Sequence, residues 1–185
     1  MRRDTERRTF FQALAPAGQI RTLPAEDIAH VAGDDVVAAL QAVAAETAEL
    51  FATVPENVPA YAPGKWTLKE VLGHLIDDER IFAYRALCLA RKETAPLPGF
   101  DENRYVAATR FEERSLTNLL RDYRAVRAAT IAFFESLTQE EWRRTGIVNG
   151  YSASVRGLGF HLVGHELHHL RVIRERYLNG KSGLK

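Results

Sequence analysis

The last predicted helix of the chain contains the stretch GFHLVGHELHHLRVI, residues 159–173. Four of the six histidines of the protein lie in this stretch. His165 and His169 are four residues apart, and on an α-helix this spacing places both side chains on one face, about one turn apart. Two neutral imidazoles held in this way can bind one transition-metal ion. The stretch therefore predicts a buried helix that carries part of a metal site.

Length and composition favour a single globular domain without disulfides. The chain has 185 residues, of which 46% are hydrophobic and 26% are charged, and its formal net charge is +1. This charge gives no electrostatic basis for binding nucleic acid or a membrane surface. Cys88 is the only cysteine, so an intrachain disulfide and a cluster of thiolate metal ligands are both excluded. No signal peptide and no apolar run of about 20 residues are evident, so we expect a cytoplasmic protein that does not span a membrane.

Apolar residues recur at helical spacing in four segments, each of which begins after a residue typical of an N-cap. Thr67 and Glu70 have the pattern of a capping box at the start of the second helix. Proline- and glycine-rich loops separate the segments, and no convincing β-hairpin is present. Four long helices predict an all-α protein, a four-helix bundle, whose helix order the pattern leaves open. The other predicted N-caps are Asp34, Ser115 and Ser154.

The predicted bundle occupies residues 34–178. It is preceded by an N-terminal arm, residues 1–33, which prolines and glycines interrupt, and it is followed by a short C-terminal tail, residues 179–185. The second helix is predicted to end near Arg91 and the last helix near Leu178, just before an Asn-Gly pair.

The polar residues of the last helix point in different directions when each residue is rotated by about 100° from the previous one. His161, His165 and His169 fall along the middle of the apolar face, whereas His168 and Glu166 fall on opposite flanks. A buried neutral imidazole needs hydrogen-bond partners for both ring nitrogens, and three imidazoles in one core stripe are difficult to satisfy by side chains alone. A metal ion takes one nitrogen from each ligand and removes much of this difficulty. The alternative is a set of hydrogen-bonded core histidines without a metal.

The second helix offers a third histidine and two carboxylates. His74 lies at the edge of its apolar face, with Asp78 one turn further along and Arg85 beyond it. Glu79 points near the centre of the apolar face, where a carboxylate must be paired or hydrogen-bonded. Glu79 could orient a ligand histidine or bind an inward-facing arginine such as Arg176, and an internal salt bridge is at least as favoured. Three histidines with an open fourth position are typical of a catalytic metal rather than a structural one.

Two short motifs overlap the histidine stretch and point to other functions. Residues 165–169 match HExxH, the zinc-peptidase signature, in which Glu166 would be the general base. Only 16 residues follow His169, so the extended form of this motif cannot be present, and no sheet is predicted. Residues 166–169 also match ExxH, the half-motif of di-iron bundles, but the chain has no second ExxH. A zinc peptidase is therefore a minor alternative, and a di-iron protein is disfavoured.

Three segments together resemble the DinB/YfiT-like family of metal-dependent four-helix-bundle proteins. They are PGKWTLKEVLGHLIDDERIFAYRAL (63–87), PGFDENRY (98–105) and GHELHHLRVI (164–173). The shared features are a Trp-Thr helix start, a His-Leu pair followed by acidic residues, and a terminal helix with His-x-x-x-His. Each motif alone is weak, but their order and spacing are fairly specific and extend over about residues 34–178.

The resemblance implies a bundle with up-down-down-up topology and one divalent ion, often zinc or nickel, held by three histidines. Carried over to this sequence, the metal ligands are His74, His165 and His169. His161 matches no ligand position of the family and is expected beside the ligands.

Members of this family include thiol-dependent S-transferases and a mycothiol-dependent isomerase, so the resemblance implies an enzyme that acts on a small molecule. The leading expectation is a thiol-dependent S-transferase or a hydrolase, whose metal site activates a low-molecular-weight thiol or water. Asp78, Glu79 and Glu166 are candidates for supporting or acid–base roles. The alternative is a non-catalytic, stress-related metal-binding bundle, with a site closed by a fourth protein ligand or sealed from solvent. Small bundles of this kind commonly form homodimers, and the sequence leaves the oligomeric state open.

Overall fold

The computed structural model describes residues 21–22 and 35–178. The predicted arm and tail therefore lie outside the described residues, except for a two-residue strand, β1 (Arg21–Thr22). A 3-10 turn (Phe111–Glu113) precedes the fourth helix, and a π-helical segment (Ile173–Leu178) continues the last one. The α-helices of the described residues are α1 (Val36–Thr53), α2 (Leu68–Ala90), α3 (Glu102–Ala107), α4 (Leu116–Glu135), α5 (Gln139–Arg143) and α6 (Val155–Val172).

The long helices begin at or next to the predicted N-cap residues. Thr67 and Glu70 form the predicted capping box at the start of α2. Asp35, rather than the predicted Asp34, is the N-cap of α1, because its carboxylate accepts hydrogen bonds from two backbone N–H groups of the first turn at 2.9 and 3.1 Å. Ser115 and Ser154 cap α4 and α6 as predicted.

The four long helices form a bundle in which helices that follow each other in the chain are not always neighbours. The main contacts join α1 with α4 and α6, and α2 with the same two helices, so α1 and α2 lie diagonally across the bundle. One apolar cluster combines the beginnings of α1 and α6 with the ends of α2 and α4, and a second cluster combines the opposite ends. The helices therefore run up, down, down and up in chain order, as the resemblance implied.

The chain between α5 and α6 forms a β-hairpin, so the expectation of no hairpin is wrong. Strand β2 (Thr145–Val148) pairs antiparallel with β3 (Tyr151–Ser154), and β1 pairs parallel with β3. The two turn residues, Asn149 and Gly150, both have positive φ, at 52° and 78°, which is the type I′ geometry that Asn-Gly favours. Strands of four residues carry too little alternation to stand out in the sequence. The hairpin leads directly into α6, whose N-cap is the last residue of β3.

Helix α1 is the one helix of the described residues that is long and apolar enough to cross a membrane, by length and composition. Within the bundle, its inner face is buried at Leu40, Val43 and Phe51. A core helix of a bundle passes the same test, so this property is weak evidence of a membrane span. The absence of a membrane span and the cytoplasmic location stay predictions.

Candidate metal centre

The imidazoles of three histidines converge where α2 packs against α6. Nε2 of His165 lies 3.2 Å from Nε2 of His74 and 3.1 Å from Nε2 of His169. One ligand atom from each residue lies within 4.8 Å of the other two. Because α6 supplies two of these side chains from one face and α2 supplies the third, the cluster is created by the packing of the two helices.

The spacing and chemistry of these nitrogens fit a divalent transition-metal ion. Four tetrahedral ligands with metal–nitrogen distances of about 2.0–2.1 Å lie about 3.3–3.4 Å from one another. The two Nε2 separations at His165, 3.2 and 3.1 Å, are close to this value. Without a metal, the one lone pair at Nε2 of His165 can accept a hydrogen bond from only one of its two neighbours. A cation between the three rings instead accepts a lone pair from each of them. Imidazole ligands suit zinc, nickel, copper and iron.

Asp78 lies beside Nδ1 of His165, the ring nitrogen that does not face the other two histidines. Its Oδ2 lies 3.2 Å from Nδ1 of His165, and the Asp78 side chain is buried. If Nδ1–H donates to this carboxylate, Nε2 carries the lone pair and faces the other two histidines. Burial raises the pKa of Asp78, but the charge and hydrogen bond of His165, with smaller contributions from His161 and His74, lower the pKa to about 2. Asp78 is therefore ionised at neutral pH.

Burial keeps the other two histidines in the neutral form that binds metals. It lowers the pKa of His74 to about 3, with a further contribution from the charge of His165. The pKa of His169 is also lowered well below its usual value, first by burial and then by the charges of His165 and His74. Neutral imidazoles at physiological pH have lone pairs available for coordination without the release of a proton.

Aromatic rings pack around the three histidines and leave one side partly open. The Trp66 ring lies 4.7 Å from the His74 ring, and His74 is buried. His161 stacks on Phe82 at 4.1 Å and lies nearly parallel to His165 at 5.6 Å, so it lies beside the cluster, as predicted. The His165 side chain keeps 15% of its surface exposed. The cluster is therefore not sealed inside the apolar core.

Glu79 and Glu166 belong to a different group of residues, a buried polar layer between the two apolar clusters. Arg127 donates from Nε and Nη2 to the two carboxylate oxygens of Glu79, at 2.8 and 3.0 Å, and also donates to Glu166. Thr47 and Tyr123 donate their hydroxyl hydrogens to Glu166. These five residues, hereafter the polar layer, connect all four long helices. All five side chains are buried.

The polar layer changes two sequence predictions. The arginine that binds Glu79 is Arg127, not Arg176, so the predicted internal salt bridge has a different partner. Glu166 was expected on a flank of α6, but it is 2% exposed and faces α1 and α4. These contacts favour a structural role for Glu79 and Glu166 and leave Asp78 as the carboxylate that contacts the histidines.

Two further charged residues, Arg85 and Glu102, lie near the histidine group, and no sequence motif predicts a role for either. Arg85 is buried on α2, two turns beyond Asp78. Glu102, at the start of α3, is half-buried; burial raises its pKa, whereas the charge of His165 lowers it. Both residues lie in segments that carry the family resemblance, but neither has a periodic or motif signal of its own.

The comparisons with known proteins agree with this fold. The family model of the DinB superfamily matches residues 39–173. The chain therefore belongs to the DinB superfamily. It is similar in structure to YfiT from Bacillus subtilis, with a TM-score of 0.68 and 19% sequence identity over 76% of this chain and 82% of that one. YfiT is described as a probable metal-dependent hydrolase with an unusual four-helix bundle topology. A comparison with curated proteins gives no match.

Proposed function

We propose that this protein is a metal-dependent enzyme in which His74, His165 and His169 hold one divalent ion, with zinc or nickel expected. The observation that carries the proposal is the convergence of the three Nε2 atoms, with the buried carboxylate of Asp78 3.2 Å from Nδ1 of His165. The description of YfiT as a metal-dependent hydrolase supports it, since the two proteins share the bundle fold.

The chemistry follows from a divalent ion at an imidazole site with an open position. Such an ion supplies Lewis acidity, which lowers the pKa of a water or thiol and makes a nucleophile available at neutral pH. The protein's own side chains prepare this position. The Asp78 carboxylate lies 3.2 Å from Nδ1 of His165, where its charge favours the tautomer with hydrogen on Nδ1, and burial keeps His74 neutral. Packing of Trp66 against His74 restricts the rotation of that imidazole.

The reaction class that we favour is attack by water or a low-molecular-weight thiol on a small electrophilic substrate. Hydrolysis is supported by the description of the structural neighbour. Transfer to a thiol is the reaction expected from other members of the family. Both reactions need the same open position at the metal, and they differ in the nucleophile that enters it.

A purely structural metal site is less well supported than a catalytic one. Structural zinc sites are closed by four protein ligands. Within the described residues, the metal-ligand group consists of His74, His165 and His169, without a fourth Cys, His, Asp or Glu. The partial exposure of His165 gives a small molecule a route to the cluster. We therefore favour an enzyme over a non-catalytic bundle.

Metal content measured on untagged protein tests the ligand assignment. We expect about one divalent ion per chain for the wild type and its loss in the double variant His74→Ala, His165→Ala. His168→Ala is the matched control, because His168 lies on α6 outside the three-histidine group. A double variant that keeps stoichiometric metal would refute the proposed site.

Activity screens test the reaction class. The metal-loaded protein is assayed against ester and amide substrates, and against a model electrophile with a series of low-molecular-weight thiols. The metal-free protein provides the baseline for each assay. A rate above this baseline in one series identifies the nucleophile, whereas no rate in either series would support the non-catalytic alternative.

A further inference from the structure

Arg85 is a buried cation near the candidate metal centre that the proposed function does not use. It is 4% exposed and lies on α2 seven residues after Asp78, which is about 10 Å further along one face of the helix. Its guanidinium carbon lies 4.6 Å from the centroid of the Phe82 ring and 5.5 Å from that of Phe100. Phe82 also stacks on His161, so one ring contacts both Arg85 and the histidine group.

Most N–H groups of Arg85 have no acceptor among residues 35–178. The one hydrogen bond of its side chain within this range runs from Nη2 to the carbonyl oxygen of Pro98, at 2.7 Å, and it forms no ion pair there. A guanidinium has five N–H donors and two edges at which an oxyanion can accept two parallel hydrogen bonds. Nη2 has one hydrogen on each edge, so Pro98 occupies one edge and the other keeps both of its N–H groups.

The connection between α2 and α3 borders Arg85, and Phe82 lies between Arg85 and the histidines. Pro98 accepts the hydrogen bond from Arg85, and the Phe100 ring packs against the guanidinium. Phe82, which packs against the guanidinium, stacks on His161, and His161 lies nearly parallel to His165 at 5.6 Å. A molecule bound between this connection and the histidines therefore lies within the electrostatic range of Arg85.

We propose that Arg85 binds an oxyanion of the substrate, a carboxylate or phosphoryl group, through the free edge of its guanidinium. This inference rests on the proposed function and adds the class of substrate to it. The substrate is a small molecule with its reacting group at the histidines and its oxyanion at Arg85. Phe82 and Phe100 pack against the guanidinium of Arg85, so its free edge is available to bind the oxyanion. The two N–H groups of this edge match two oxygens of one anion.

Calorimetric titration of the full chain with inorganic phosphate, acetate and chloride tests the assignment. The metal-free protein is titrated first, because phosphate and acetate also coordinate metal ions, and the zinc-loaded protein follows. The variants are Arg85→Gln, Arg85→Lys and the control Arg80→Gln, which removes an exposed arginine from the same helix. Arg85→Lys keeps the charge and loses the two-pronged edge, so it also serves if Arg85→Gln fails to fold.

We expect saturable binding of phosphate or acetate with a dissociation constant of about 1 mM or below, and no comparable binding of chloride. Arg85→Gln and Arg85→Lys should weaken this binding at least roughly tenfold, and Arg80→Gln should leave it unchanged. The stronger of the two oxyanions identifies the group. Equal binding by wild type and Arg85→Gln, or no saturable binding of either oxyanion, would overturn the assignment.

The outcome is separable from that of the proposed function. If the wild type binds no metal but binds the oxyanion through Arg85, the metal-dependent reaction fails and the anion site stands. If metal binding is intact in Arg85→Gln and oxyanion binding does not depend on Arg85, the anion site fails and the metal centre stands. If the hydrogen bond from Arg85 to Pro98 has only a structural role, the Arg85 variants will have a lower free energy of unfolding but will bind the oxyanions as the wild type does.

Discussion

Replacement of Arg127 by leucine tests whether the polar layer holds the four helices together. Arg127 is 4% exposed and donates two hydrogen bonds to Glu79, one to Glu166 and one, at 2.9 Å, to the carbonyl oxygen of Leu40. Leucine removes the cation and leaves two buried carboxylates without it. Breaking a buried ion pair in this way costs about 3–5 kcal/mol. For a chain of this size, that corresponds to a decrease in Tm of roughly 6–20 °C.

Urea unfolding followed by circular dichroism measures this loss, with Arg124→Leu as the matched control. Arg124 lies on the same helix and is exposed, so its replacement should change the free energy of unfolding by less than about 0.5 kcal/mol. The contrast between the two variants separates the loss of the buried ion pair from the general effect of adding a leucine to α4.

The pH dependence gives a second measure of the same effect. Burial already raises the pKa of Glu79, and loss of the Arg127 guanidinium raises it further. The folded variant then holds a proton that the unfolded chain releases, so its stability decreases as the pH rises through the folded pKa. The difference in the free energy of unfolding between the variant and the wild type should therefore become smaller as the pH is lowered from about 8 to about 5. A variant as stable as Arg124→Leu, or a loss that does not change with pH, would refute the reasoning.

Three further predictions concern the metal centre and the helix packing. Asp78→Asn should weaken zinc binding about 10–100-fold in a chelator competition, because His165 loses the carboxylate that orients it; an unchanged affinity would contradict this role. In metal-free protein the pKa of His74 is about 3, whereas the unfolded chain binds this proton below about pH 6.5, so stability falls as the pH drops through this interval. His74→Ala should make that acid-induced loss shallower, and an identical acid unfolding curve would argue against a buried neutral imidazole. Gly73→Ala should cost about 1–3 kcal/mol in urea unfolding, because its Cβ would lie 2.3 Å from the Phe111 ring; a neutral effect would mean that the ring moves aside freely.

Local signals account for the part of the fold that could be predicted. The capping box of Thr67 and Glu70 involves residues within one helical turn, so it specifies the start of α2 without information from the rest of the chain. The hairpin does not stand out in the sequence because each of its strands is only four residues long. Its register depends on pairing across the turn, which periodicity in so short a segment does not reveal.

The candidate site also has one part that the sequence predicts and another that it does not. The spacing of His165 and His169 determined by itself that two imidazoles share one face of α6, because helix geometry relates residues four apart. Only the tertiary structure decided which residue of another helix meets that face. It also decided which residues form the polar layer. His74 is 91 residues from His165 in the chain, and Arg127 is 48 residues from Glu79. Those contacts depend on the up-down-down-up order, which sets the neighbours of α2 and α6 and which no single helix encodes.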